Sequence, residues 1–85
     1  MQFYRCAVQV IVARADEVGP ILKKVRRAAK IRQEDVALTA GCSIKLLVDL
    51  EGGKGTAPLA KVFDVVQALG GRFLLEFPGE GDDRA

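Results

Sequence analysis

Histidine and tryptophan are both missing from this chain of 85 residues, and cysteine occurs only twice. Without histidine, the chain has no zinc site of the Cys/His type and no imidazole base for catalysis. Cys6 and Cys42 lie far apart in sequence and form no CxxC pair, so we expect both to be reduced thiols. The composition therefore favours a protein that is not an enzyme and that carries neither a metal site nor a cofactor.

Long apolar segments are also missing. No run approaches the roughly 20 residues that cross a bilayer, and no signal peptide precedes a small-residue cleavage site. We therefore expect a cytoplasmic protein without a membrane partner. About half of the residues are apolar, which is enough for one small domain. Because a chain of this size buries a limited share of its surface, dimerisation would extend its core.

The charges are distributed unevenly along the chain. Residues 18–48 carry seven basic and two acidic side chains, whereas residues 49–85 carry four basic and seven acidic ones. A positive half suits phosphate groups, and a negative half suits a surface that faces away from them. The alternative is an ordinary solvated helix face, and charge alone does not separate the two interpretations.

The central segment, residues 33–54, predicts two short helices joined by a tight turn. The first helix covers residues 33–40, and Gly41 ends it by supplying a left-handed conformation. Ser43 is a typical N-cap for the second helix, residues 44–51. In the second helix we expect Leu46, Leu47 and Leu50 to face inward. Two helices joined by a glycine-containing turn are typical of a helix-turn-helix unit, which presents its second helix to the DNA major groove.

Two further helices are predicted on either side of this unit. Residues 15–30 form the first, with Pro20 in the initial turn, where its missing N–H costs nothing. Four of its basic residues share one face: Lys23, Arg26, Arg27 and Lys30. The other helix starts near Pro58 and ends at Gly70. Its apolar positions recur at helical spacing and are Leu59, Val62, Phe63, Val66 and Leu69.

Both ends of the chain show strand-like alternation. We predict an N-terminal strand or arm over residues 1–13, a short strand over residues 72–77, and a flexible polar tail over residues 78–85. A lone strand leaves its backbone groups unpaired. The two strands could form a ribbon within one chain, but we predict an intersubunit β-sheet that joins a homodimer. The residues expected at that interface are Val10, Val12, Phe73, Leu75 and Phe77.

The segments QEDVA, AGCS and LLVDLEGGKGTAPLAKV resemble the XRE (Cro/C1-type) helix-turn-helix family, and the last one resembles its HipB-type antitoxin branch. The similarity extends over residues 18–77. It implies a mainly α, lambda-repressor-like bundle of four to five short helices, with the DNA-binding domain at residues 15–71.

The resemblance also implies a function. A member of this branch would repress transcription by binding double-stranded operator DNA, would associate with the nucleoid, and would act as an antitoxin. It would bind a HipA-like kinase toxin and autoregulate the operon that encodes both. The alternatives are a stand-alone repressor without a toxin and a protein-interaction module that has lost DNA binding.

The roles of individual residues follow from the same resemblance. It implies a structural salt bridge between Arg26 and Glu51, where loss of one partner harms stability more than loss of both. It places phosphate contacts at Arg32, Gln33, Lys54 and Thr56. It places base-reading contacts at Ser43, Ile44, Lys45, Val48 and Asp49. Ile44 and Val48 depart from the family, since many relatives carry polar side chains there.

Overall fold

The computed structural model describes residues 8–79, which contain four helices. Helix α1 spans Ala15–Ala28, α2 spans Gln33–Ala40, α3 spans Ile44–Glu51 and α4 spans Leu59–Ala68. The mainly helical prediction is confirmed, and the bounds of α2 and α3 are the predicted ones. Residues 1–7 of the predicted N-terminal strand and residues 80–85 of the predicted tail lie outside the described residues.

One apolar core is shared by the four helices. Helix α1 packs on α3, and α2 packs on both α3 and α4. Leu47 of α3 and Val65 of α4 are completely enclosed. The other buried apolar residues are Leu22, Val36, Ala37, Ala40, Leu50, Val62 and Val66. Because α3 is held between α1 and α2, packing fixes which of its faces points outward.

Local capping explains why α2 and α3 end and begin where they do. Gly41 has φ 73°, and the Cys42 N–H donates to the Ala37 carbonyl at 3.0 Å, which closes the C-terminus of α2. The Ser43 hydroxyl then accepts a hydrogen bond from the Leu46 N–H at 3.0 Å, which caps α3. These two devices redirect the chain between the helices within three residues.

Helix α1 begins at the predicted residue, Ala15, but Pro20 lies further into the helix than the sequence predicted. Pro20 is the sixth residue of α1 and not part of its first turn. The reason is the carboxylate of Glu17, whose Oε1 accepts from the N–H groups of Ala13 at 2.8 Å and Arg14 at 3.2 Å. This capping fixes the start of the helix at Ala15, and Pro20 is accommodated in the second turn.

The faces of α1 and α4 are rotated relative to the apolar patterns. In α1, Arg26 is buried although it belongs to the basic row, while Val25 is 43% exposed. In α4, Val65 lies in the core, whereas Leu59 is 69% exposed. The buried face of each helix is the one that neighbouring helices can cover. The periodicity of apolar residues locates that face only approximately.

The strands predicted at residues 72–77 and in the N-terminal segment are not seen, since residues 8–13 and 72–77 adopt no strand and form no ribbon with each other. Alternating side chains do not satisfy backbone groups; a strand needs a second strand beside it. Phe73 instead stacks on Phe63 of α4 with ring centroids 4.5 Å apart. Leu75, Phe77, Val10 and Val12 remain exposed by 81%, 77%, 53% and 37% respectively.

Within residues 8–79, no helix combines the length and the apolar character that a bilayer-crossing segment requires.

Lys30 is the described non-glycine residue with a positive φ, at 60°, and it follows the C-terminus of α1. Its N–H donates to Arg27 O at 3.0 Å, and Ile31 N donates to Arg26 O at 3.1 Å, the pattern that usually carries glycine. We expect Lys30→Gly to raise the free energy of unfolding by about 1 kcal/mol, because the left-handed conformation strains an L side chain. Urea denaturation measures this.

The matched control is Lys24→Gly, at an exposed position inside α1. This substitution should lower the free energy of unfolding by about 1 kcal/mol, because glycine is a poor helix former in an ordinary helical conformation. Equal destabilisation by both substitutions would contradict the assignment of strain to Lys30.

Candidate nucleic-acid interface

The outward face of α3 and its N-cap carry the five residues predicted to read bases. Since Leu47 and Leu50 occupy the core, the opposite side of this helix faces solvent. Ile44 and Val48 are 50% and 46% exposed, and the Lys45 side chain is 82% exposed. Ser43 is also exposed, while Asp49 is half-buried at the edge of the face. The structure thus brings the predicted base-reading residues onto one surface.

A shallow depression runs beside this face. Its lining includes Ser43, Lys45 and Asp49, together with Lys54 and Thr56 from the loop after α3. Three predicted base-reading residues therefore lie next to two predicted phosphate contacts. Arg32 does not line the depression; it precedes the first turn of α2, with its side chain 71% exposed.

Asp49 sits between the two lysines of the depression. Its Oδ2 lies 3.1 Å from Lys45 Nζ, and its Oδ1 lies 3.8 Å from Lys54 Nζ. We call these three residues the lysine–aspartate cluster. The hydrogen bond from Lys45 is the largest cause of a lowered pKa at the Asp49 carboxyl, and the charges of Lys45 and Lys54 act in the same direction. The carboxylate is therefore ionised at neutral pH and offsets the charge of both lysines.

Arg32 also has acidic neighbours. Its guanidinium lies 3.4 Å from Asp35 and 3.8 Å from Glu34, both in the first turn of α2. These pairs are exposed and hence weak, so the guanidinium can exchange a carboxylate for another anion at little cost.

Behind the interface, Arg26 and Glu51 form a buried ion pair between α1 and the end of α3. Arg26 Nε and one guanidinium nitrogen donate to the two carboxylate oxygens of Glu51 at 2.7 and 3.0 Å. A third guanidinium bond reaches the Ile31 carbonyl at 2.9 Å. The side chains of Arg26 and Glu51 are 10% and 3% exposed. This two-point contact fixes the orientation of α3 relative to α1.

The pKa of Glu51 is set by opposing effects. Burial raises it, but hydrogen bonds from Arg26 and Gln33, with the charge of Arg26, outweigh burial and leave the pKa below its usual value. Glu51 is therefore an ionised, fully hydrogen-bonded carboxylate inside the fold.

The side chain of Gln33 is directed into the fold and does not point outward, as a phosphate contact through its amide would require. Its Nε2 donates to Glu51 Oε1 at 3.0 Å, which ties the start of α2 to the end of α3. The backbone N–H of Gln33 belongs to the first turn of α2, where N–H groups have no partner within the helix and face anions favourably. A phosphate contact at Gln33 would thus use the backbone, while the side chain positions the helix.

A protein of Sinorhizobium fredii (strain NBRC 101917 / NGR234) named as the uncharacterized HTH-type transcriptional regulator y4mF is 39% identical to this chain over 64 residues. The match covers 75% of this chain and 84% of the relative. The chain belongs to the HTH-type transcriptional regulators. No protein-family profile matches it.

In this HTH-type regulator, α2 and α3 form the helix-turn-helix pair, and one residue that sequence reasoning missed supports the turn between them. Lys61 of α4 donates from Nζ to the Gly41 carbonyl at 2.9 Å and lies 3.8 Å from Asp64. Twenty positions separate Lys61 from Gly41, so no local pattern could reveal the contact.

Burial raises the pKa of the Cys42 thiol, which lies in the same turn, and the charge of Lys61 partly opposes this shift. The raised pKa makes Cys42 a poor nucleophile.

Proposed function

We propose that this HTH-type regulator is a dimeric repressor that binds double-stranded operator DNA with α3 in the major groove. The observation that carries the proposal is the exposed face of α3, which presents Ile44, Lys45 and Val48 while Leu47 and Leu50 hold the helix in the core. The major groove, about 12 Å wide, admits a helix. Lys45 would donate to guanine O6 or N7, and Ile44 would contact a thymine methyl group.

Phosphate groups would be bound on both sides of α3. Lys54 and Thr56 lie beside the depression, and Arg32 precedes the first turn of α2. The free N–H groups and the positive dipole end of α2 favour a phosphate there. Contacts at two separated points would fix the register of α3 along the groove.

The proposed homodimer is supported by the apolar residues that flank the helical domain. Leu74, Leu75 and Phe77 follow α4, and Val8 and Ile11 precede α1; these five are 64–94% exposed. A second copy could cover both groups by pairing the terminal segments as strands. A twofold dimer would read two half-sites about 34–36 Å apart. Sedimentation velocity distinguishes this dimer from a monomer.

The antitoxin role extends the proposal and rests on the resemblance to the HipB-type branch. In that role the protein would act in the cytoplasm, bind a HipA-like kinase toxin and repress the shared operon. Co-purification with the product of the adjacent gene tests it. A neighbouring gene that encodes no kinase-like protein would instead favour a stand-alone repressor.

A protein-interaction module is the second candidate function, and Ile44 and Val48 favour it. Both side chains are apolar and about half exposed. The resemblance to the XRE family implies hydrogen-bonding groups on this face instead. A gel shift at low salt separates the candidates, because electrostatic binding to any duplex is strongest there. Absence of a shift would favour the interaction module.

Replacing Lys54 and Lys45 by alanine should have different effects on DNA binding. Lys54→Ala should weaken binding to all duplexes alike, because a phosphate contact carries no sequence information. It should also reduce by about one the slope of log affinity against log salt concentration. Lys45→Ala should weaken binding to the preferred duplex by about 1–3 kcal/mol and change which bases the protein prefers. Fluorescence anisotropy measures both, with a duplex from the region upstream of the gene and a scrambled duplex.

Arg72→Ala is the matched control, because Arg72 is exposed beyond α4 and lies outside the depression. It should change neither affinity nor preference by more than about twofold, as expected for a charge remote from the phosphates. Equal loss in all three variants would indicate general charge attraction and contradict the assigned roles.

A further inference from the structure

We propose that Asp49 is a specificity-determining residue, which restrains Lys45 and Lys54 on non-cognate DNA and releases them where a G·C pair offers its cytosine amino group. This inference rests on the proposed function, since it assigns a base preference to the same surface. It concerns the carboxylate of the lysine–aspartate cluster and not the lysines alone.

The geometry places the carboxylate at the centre of the cluster. Each of its oxygens faces one lysine, at 3.1 and 3.8 Å. The Asp49 side chain is 34% exposed, whereas those of Lys45 and Lys54 are 82% and 65% exposed. The short carboxylate is fixed to α3, and the long lysine side chains can move away from it. Asp49 thus stays in place while its partners change.

Folding does not explain a carboxylate at this position. Asp49 lies in the last turn of α3, where the helix dipole disfavours negative charge. Exposed ion pairs such as those with Lys45 and Lys54 contribute little to stability. Helix α3 already has its N-cap at Ser43 and its core contacts at Leu47 and Leu50. The cluster therefore acts at the surface rather than on the stability of the helix.

On DNA, the same carboxylate has two opposing effects. Phosphates repel it, and it offsets the charge of both lysines, so contact with an arbitrary duplex is weakened. At a G·C pair, the carboxylate accepts from cytosine N4 while Lys45 donates to guanine O6 or N7. Lys45 and Asp49 are one helical turn apart and already adjacent, which matches a donor and an acceptor presented by a single base pair. Adenine also offers an amino group, but its neighbouring N7 acceptor repels a carboxylate.

The test uses two 20-base-pair duplexes, one alternating G and C and the other alternating A and T, in fluorescence anisotropy at 0.1 M NaCl. We expect the wild-type protein to bind the G·C duplex about tenfold more tightly than the A·T duplex, as one good base contact predicts. Asp49→Ala should raise affinity for the A·T duplex about tenfold and bring the two affinities within about threefold. Asp49→Asn, which keeps the side-chain shape, should favour the A·T duplex further, because Asn pairs with adenine.

Asp64→Ala is the control, because Asp64 also lies 3.8 Å from a lysine, Lys61, but does not line the depression. It should leave both affinities unchanged, and thermal unfolding should show that the Asp49 variants remain folded. If the wild-type protein binds DNA but Asp49→Ala does not bind the A·T duplex more tightly than the wild type does, the inference is wrong and the proposed function stands. A wild-type protein that binds no duplex, including one from upstream of its own gene, overturns both.

Discussion

Replacing Glu51 with alanine is expected to lower the free energy of unfolding by about 3–5 kcal/mol, one of the two largest effects that we expect in this protein. The substitution leaves the buried Arg26 guanidinium without its carboxylate and removes the acceptor of the Gln33 amide. An unpaired buried charge is far costlier than a missing contact. Urea denaturation at pH 7 measures the loss.

Two further variants separate a buried-pair effect from a general charge effect. The double variant Arg26→Met with Glu51→Leu should lose less than Glu51→Ala alone, because no buried charge remains. Asp16→Ala breaks the exposed Arg14–Asp16 pair and should change stability by less than about 1 kcal/mol. A loss in Glu51→Ala as small as that in Asp16→Ala would show that the buried pair does not hold α1 against α3.

The same pair gives the stability a defined pH dependence. The pKa of Glu51 is lowered in the folded protein from its usual value of 4.5. Its contribution to stability is therefore present above pH 4.5 and is lost as the pH falls through the lower folded pKa. The difference in unfolding free energy between the wild type and Glu51→Gln should shrink on acidification over this range.

Gly19→Ala is expected to lower the free energy of unfolding by about 3 kcal/mol, although alanine is the better helix former. A Cβ on Gly19 would lie 1.5 Å from the Leu50 carbonyl oxygen, so the backbones of α1 and α3 are in direct contact there. Neither backbone can rotate aside like a side chain, and the helices would have to separate. Because α3 carries the proposed DNA-binding face, DNA affinity should fall together with the melting temperature.

Gly55→Ala provides the control for this substitution. Its added Cβ would meet the nearest atom, Ala15 Cβ, at 3.5 Å, an ordinary contact. Stability should remain equal or rise by about 0.5 kcal/mol, because alanine reduces the freedom of the unfolded chain. If Gly19→Ala behaved like Gly55→Ala, the close approach of α1 and α3 would not be a constraint on the fold.

Local signals in the sequence were sufficient to predict the helix-turn-helix pair. Gly41 and Ser43 supply the C-terminal stop and the N-cap, and both act within a few residues of themselves. Long-range features could not be predicted from local pattern. The close contact at Gly19 depends on how whole helices pack. The same is true of the core position in α4, which Val65 occupies although the sequence pattern named Leu59. The predicted strands are not seen in residues 8–79, because a strand also requires a partner.

The uneven charge along the chain did not separate a phosphate-binding surface from an ordinary solvated helix face, and the structure adds detail that charge counting omits. Asp49 offsets Lys45 and Lys54, and Asp35 offsets Arg32. Side-chain partners depend on spacing across a turn or loop, so a sum over thirty residues does not reveal them. Arg26 illustrates the same point: it counts toward the positive half but is neutralised inside the fold by Glu51.

The central claim is that the exposed face of α3 binds DNA, and a ¹H–¹⁵N correlation spectrum tests it most directly. A duplex from the region upstream of the gene is titrated into labelled protein. We predict that amide signals of residues 43–49 and 54–56 shift, while those of Leu59 and Phe63 on α4 stay in place. Shifts at α4 with residues 43–49 unaffected, or no shift at low salt, would contradict the account.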